Sequence, residues 1–210
     1  MHKIIPQTLY RKGLKEKILL TSMQMFKVHG IKAVKMDDIA NRLSISKRTL
    51  YEIYANKEDL LLEGIRLHEK ENNDHMDLLS KKEGLTVMDI IIEIYHLEMQ
   101  GLANVSPLFF SDLHKYPKIV SFLTEKHDER KAQAQAFFKL GIEEGYFRKD
   151  VDYKFMMNIG NSINNIVMEQ QMYKEYGMKH IYHNLIFLFI RGFCTQRGIE
   201  VIDKIFPQED

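Results

Sequence analysis

Cysteine, tryptophan and proline are scarce in this chain of 210 residues, which holds one Cys, no Trp and four Pro. With Cys194 the only thiol, an intrachain disulfide framework and a zinc site built on cysteines are both excluded, and a reducing compartment is the natural setting. The prolines stand at 6, 107, 117 and 207, each where the pattern places an end or a turn. No stretch alternates apolar and polar residues with a period of two, so strands have no candidate. No apolar run reaches the roughly 20 residues of a membrane span. Phe155 to Met168 is uncharged but contains four Asn and one Ser, and Leu185 to Ile190 is apolar over only six residues. Met1 to Tyr10 has no extended apolar core and no small-residue cleavage site, as a secretory signal would require. A cytoplasmic protein without membrane contact is expected. Gly-rich phosphate loops, HExxH, GxSxG and internal repeats are absent as well.

What is present suits a folded chain. Apolar side chains make up 45% of the residues, with 12 Phe, 10 Tyr and 12 Met, enough to close a sizeable core and too many for a disordered chain. The net charge of +1 hides a split. Residues 1 to 57 hold 12 of the 30 Lys and Arg and four of the 29 acids, a balance of +8, which leaves −7 on the other 153. A basic end facing a polyanion and an acidic body that avoids it would produce this division, as would a lysine-rich solvated face.

Periodicity reads as helix throughout. Leu14, Ile18, Thr21, Ser22, Met25 and Phe26 recur at spacings of three and four, on a helix that Gly30 can terminate. A short helix follows over about Asp37 to Leu43, with its acids at the amino end where the backbone dipole favours anions. Ser46 can cap a third helix to about Tyr54, and Asn56 a fourth from Lys57 through roughly Leu79. Thr86 to Ala103, Leu108 to His114, Ile119 to about Gly141, Asp152 to Glu175 and Met178 to Gln196 complete the pattern. The expectation is an all-α chain of about nine helices, divided into residues 1–56 and 57–210.

Two short helices joined by a tight turn, the second capped and rich in donors, are what reading the major groove requires. Leu50 and Ile53 would hold the second helix in place, leaving Lys47, Arg48, Thr49 and Tyr51 facing outward. Lys57 offers a cation and a free amide at the start of the next helix, a phosphate site. The run Ile18-Leu19, Thr21-Ser22, Met25-Phe26, Gly30-Ile31, Met36-Asp37-Asp38-Ile39-Ala40, Ile45-Ser46-Lys47-Arg48-Thr49-Leu50-Tyr51, Tyr54 and Asn56-Lys57-Glu58-Asp59-Leu60 resembles the amino-terminal domain of TetR-type transcriptional regulators. The resemblance implies an all-helical homodimer whose third helix enters the major groove of double-stranded DNA. It also implies a divergent carboxy-terminal domain that binds a small-molecule effector and dimerises, and no catalysis.

Residue by residue, the resemblance and the local chemistry assign Lys47, Arg48, Thr49 and Tyr51 to groove contacts, and Lys35, Ser46, Tyr54 and Lys57 to the DNA backbone. The alternative for both tyrosines is packing in the seam between helices. Three positions depart from the family pattern. Lys35 stands where Ser or Thr usually caps the second helix. Ser44 replaces a frequent Gly, tolerable if its φ is not forced positive. Arg48 replaces a frequent Gly or Pro and brings a donor fork suited to guanine O6 and N7.

In the carboxy-terminal part, Met88, Tyr95, His96, Met99, Phe109, Phe110, Phe137, Phe138, Phe155, Ile159 and Asn164 are candidates for lining a pocket for an apolar or aromatic effector, against the alternative of ordinary core. Ile163, Val167, Leu185, Leu188, Phe189 and Phe193 are candidates for a dimer interface, since a palindromic operator needs two recognition helices related by a two-fold axis. His180 and His183 lack a third ligand nearby, so no metal is expected, nor any cofactor. Cys194, among apolar neighbours, reads as a buried small hydrophobe. The functional expectation is a ligand-responsive DNA-binding regulator, in this family most often a repressor, whose effector shifts the dimer to a geometry that no longer matches successive major grooves. The rivals are an all-helical enzyme or small-molecule carrier with an incidental basic end, and a DNA binder without a sensor.

Overall fold

The computed structural model describes residues 7–205, and the described residues form ten α-helices and one 3-10 turn. They are α1 (Gln7–His29), α2 (Met36–Arg42), α3 (Lys47–Ile53), α4 (Lys57–Ser80), α5 (Val87–Leu102), α6 (Pro107–Leu113), α7 (Pro117–Glu143), α8 (Tyr153–Glu169), the 3-10 turn Met172–Lys174, α9 (Met178–Phe193) and α10 (Gln196–Ile205). Among the described residues no strand forms, and one isolated bridge joins Phe147 to Cys194.

Packing groups the helices into two compact units. The first takes the described residues up to Asn73 together with Asn104–Leu123; the second takes Asp74–Ala103 and the described residues from Thr124 onward. A cut of the sequence at 56/57 follows the motif, whereas the packing adds the first part of α4, α6 and the start of α7 to the motif's own unit. The reason is apolar. Phe109, Ile119 and Phe122 are buried in one cluster with Ile18, Phe26, Ile31, Ile39, Leu50, Leu60 and Leu61. The core of the second unit is centred on Val87, Met88, Tyr95, Phe147, Ile190, Phe193, Cys194 and Ile202. Burial pushes the Cys194 thiol up to about 12, so it is inert at neutral pH.

Two expected helices end early. The run from Asp152 to Glu175 breaks after Glu169, where Gln171 takes a left-handed backbone (φ 54) and Tyr173 is buried in the turn that follows. Burying that one ring outweighs helical continuity, and neither Gly nor Pro marks the break. The run from Met178 to Gln196 stops at Phe193; Cys194 is extended, bridges Phe147, and releases the chain into α10. Gly198 permits this bend. A Cβ there would lie 2.7 Å from the Tyr146 carbonyl oxygen, closer than any side chain tolerates.

Candidate nucleic-acid interface

The interface is built from the end of α1 to the start of α4. Gly30, at φ +84, ends α1. A short loop with Ile31 and Val34 buried leads into α2. Lys35 caps α2 with extended backbone but no side-chain bond. The missing cap is replaced from inside the helix, because the Lys35 amide donates to Asp38 Oδ2 at 2.8 Å, one half of a capping box.

At the other end of α2 the Ile45 amide donates to the Ala40 carbonyl at 3.0 Å and the Ser44 amide to the Asn41 carbonyl at 3.1 Å. This is a Schellman closure, which needs a left-handed residue at the position of Ser44. Its φ is +54, so the condition attached to Ser44 from sequence fails: the tight turn does force φ positive. The strain costs on the order of 1 kcal/mol for a residue with a Cβ.

α3 begins as expected. The Ser46 hydroxyl accepts from the Thr49 amide at 3.0 Å and shares a hydrogen bond with the Thr49 hydroxyl at 2.8 Å. Leu50 is fully buried beneath the helix, which turns Lys47, Arg48 and Tyr51 to solvent, with Thr49 half-buried. The Lys47 ammonium lies 2.5 Å from Asp37 Oδ2, and this bond raises its pKa. Arg48 is 89% exposed, with its Nε 2.9 Å from Glu52 Oε1 one turn on. Such exposed pairs are worth little, and each leaves its cation able to exchange a carboxylate for a phosphate or a base edge. Held through Nε, the Arg48 guanidinium keeps both terminal nitrogens for an acceptor pair.

The other candidates divide. Lys35 and Ser46 are exposed. Tyr54 is only 3% exposed and packs in the seam, its ring 5.6 Å from the Lys15 ammonium. Burial, then the charge of Glu63, pushes its hydroxyl pKa up. It is thus a packing residue, and the phosphate contact assigned to it is corrected. Lys57 is corrected in part. Its ammonium donates to the carbonyls of Ile31 (2.8 Å), Val34 (2.9 Å) and Lys32 (3.4 Å), which commits the side chain to the loop before α2 and leaves the backbone amide for an anion. Burial pulls its pKa down in spite of Asp112 and Asp38.

The structure does not gather the pocket candidates. Phe109 and Phe110 belong to the first unit's core, ring to ring at 5.7 Å, because α6 packs there. Phe137 and Phe138 fill an aromatic cluster with Phe147, Tyr153 and Phe193. Phe155 is 58% exposed, and Ile159 and Asn164 also face solvent. Met88, Tyr95 and Met99 do share the second core, with His96 exposed at its edge. Tyr95 exchanges a 2.7 Å hydrogen bond with His183 Nδ1, a partner that sequence spacing could not supply.

Of the interface candidates, Phe193 and Val167 are buried inside the second unit and Ile163, Leu185 and Phe189 are half-buried, while Leu188 is 65% exposed. Sequence reasoning placed Asp37 and Asp38 at the amino end of α2 but missed their bonds to Lys47 and the Lys35 amide, and it missed Glu52 beside Arg48 and Asp112 far outside the motif.

Comparison with known proteins gives the same outline. Residues 18–63 match the family model of bacterial regulatory proteins, tetR family, so the amino-terminal domain is a helix-turn-helix DNA-binding domain of that kind. No curated protein matches the chain. A TetR-family transcriptional regulator from Marinobacter aquaeolei VT8 superposes with a TM-score of 0.69 at 20% identity, covering 92% of this chain and 98% of its own. A transcriptional regulator from Saccharomonospora viridis, solved in complex with choline, gives 0.68 at 18%, covering 88% of this chain and 100% of its own. The ketosteroid transcriptional regulator KstR2 of Mycobacterium tuberculosis gives 0.57 at 17%, with 87% and 96% covered. At these identities the superpositions establish the fold. Among the described residues no helix is long and apolar enough to cross a membrane.

Proposed function

We propose that this chain, whose residues 18–63 form the amino-terminal domain of bacterial tetR-family regulators, is a ligand-responsive repressor that binds a palindromic operator as a homodimer. One observation carries this reading: a helix capped by Ser46, anchored by buried Leu50, presents Lys47, Arg48 and Tyr51 to solvent from its first turns. Arg48 reads a guanine through its two terminal nitrogens, with Lys47, Thr49 and Tyr51 beside it in the groove. Lys35, Ser46 and the Lys57 amide hold phosphates, which fix register without reading sequence.

The second recognition helix comes from a second copy. Phe155, Ile159 and Ile166 of α8 and Leu188 of α9 are exposed apolar side chains, the kind of surface a symmetric interface covers. This assigns Phe155 and Ile159 to the interface instead of the pocket. Effector binding belongs to the second unit, where Tyr95, Tyr182, His183 and Phe187 surround one polar contact; a related fold that binds choline supports a small-molecule sensor. The effector acts by favouring a dimer geometry in which the two α3 helices no longer match successive grooves. A regulator of this kind acts on DNA in the cytoplasm and performs no catalysis.

The test is a mobility-shift assay on DNA upstream of the protein's own gene. Arg48→Ala is expected to cost roughly 1 to 3 kcal/mol of operator affinity and to relax preference at one base pair of each half-site. Unchanged operator preference in that variant removes the base-reading role from Arg48.

A further inference from the structure

The most unusual polar group of the first unit lies outside the matched domain. Asp112, in α6, is only 5% exposed. Its Oδ2 accepts from the Lys32 amide at 2.7 Å, eighty residues away in sequence, and its Oδ1 from the Lys115 ammonium at 2.7 Å. The same loop receives Lys57 from α4, bonded to three of its carbonyls. An anion from α6, outside the matched residues, and a cation from the first residue of α4, inside them, therefore grip one short stretch of backbone. α6 is also pressed against the turn itself. A Cβ on Gly30 would lie 2.8 Å from the Leu108 Cβ and 3.3 Å from Asp112 Oδ2, and the Ser106 amide donates to the Lys27 carbonyl at 2.7 Å.

We propose that Asp112 is a positioning residue for the recognition helix: with Lys57 it fixes the backbone between α1 and α2, and so the register in which α2 and α3 meet DNA. The proposal rests on the DNA-binding function given above. From the gripped loop a series of polar contacts leads to the groove-facing residues. Lys32 is three residues before Lys35, whose amide is held by Asp38, and Asp37 beside it holds Lys47 at the start of α3. The choice of a carboxylate is informative. A buried charge is a poor means of gaining stability, since desolvation offsets much of its attraction and an apolar side chain of similar size would serve as well. What a carboxylate adds is direction, because its bond to one particular amide admits one loop placement, while the apolar contacts of Ile31 and Val34 admit several nearby ones.

The experiment compares Asp112→Ala and Asp112→Asn on two probes: a duplex enriched from a random-sequence pool by the wild-type chain, and a scrambled duplex of the same length and composition. Asp112→Ala should bind the enriched duplex roughly tenfold more weakly and the scrambled duplex as before, at a temperature where circular dichroism shows it folded. Asp112→Asn keeps an oxygen for the Lys32 amide and should stay within about threefold of wild type on both. A purely stabilising role would move both affinities with the folded fraction or move neither, and either result overturns the proposal. Should Asp112→Ala not fold, Asp112→Glu, which displaces the carboxylate by one methylene, takes its place; loss of preference for the enriched duplex is expected, and wild-type preference overturns the proposal. Enrichment of no duplex by the wild-type chain is a separate outcome that removes the DNA-binding function itself, and the positioning role with it.

Discussion

Each of the two units is held together internally by its own means. Around α3, direction dominates: the Lys57 ammonium on three carbonyls, the Asp112 carboxylate on one amide, Asp38 and Ser46 on helix-end amides. In the second unit volume dominates. Phe147 is fully buried among Phe137, Phe138, Tyr153 and Phe193, with ring centroids 5.1 to 6.4 Å away, and Gly141 leaves the space its ring fills. Hydrogen bonds fix one placement to within tenths of an ångström, as the base reading proposed for α3 would demand. Rings and methionines fill space and can repack, which would suit the effector response proposed for this unit.

The largest expected effect comes from emptying the volume-filled core. Phe147→Ala should cost about 3–5 kcal/mol of stability. Denaturant unfolding followed by hydrogen exchange should place the loss in the second unit, with α3 keeping its protection at low denaturant. A uniform loss across both units would merge what the comparison separates.

Strain in the first unit allows an opposite change. Ser44→Gly removes the Cβ from a left-handed position and should stabilise by up to about 1 kcal/mol, because relief of strain outweighs the added freedom of the unfolded chain. A higher midpoint in thermal unfolding checks it; a lower one would mean that the Ser44 side chain earns its place in a way the backbone does not reveal.

The smallest effect is acid sensitivity. Burial alone would raise the Asp112 carboxyl, but the Lys115 ammonium and the Lys32 amide outweigh it and hold the group below its usual 3.8. A depressed carboxyl contributes stability that is fully present above the unfolded value and disappears as pH falls through the folded one. Unfolding of the first unit should therefore steepen below about pH 4, and Asp112→Asn should flatten that limb. An unchanged acid limb in Asp112→Asn would show that the carboxylate's bonds do not favour its charged form.

The same contrast decides what the sequence reveals. Ser46, Leu50 and Gly30 were legible because caps, turns and a buried stripe are written within a few residues of where they act. The positive φ of Ser44 was not, since it follows from the closure of a whole turn. Tyr54 and Lys57 look alike in the motif whether they face DNA or the fold, and only the carbonyls of residues 31 to 34 show where Lys57 is spent. Asp112 has its partner eighty residues away, beyond any local pattern. In the second unit the break at Gln171 and the bend before α10 are set by burial of Tyr173 and by the close approach of Gly198 to Tyr146. These are tertiary facts that override helical periodicity.

The most direct measurement is the salt dependence of binding to a duplex enriched by the wild-type chain. If two cationic α3 helices grip successive grooves, the enriched sequence should be an inverted repeat with half-sites about one helical turn apart. The logarithm of affinity should then fall linearly with the logarithm of salt, with a slope of magnitude about 4 or more. A salt-independent affinity, or enrichment of no sequence at all, would contradict it.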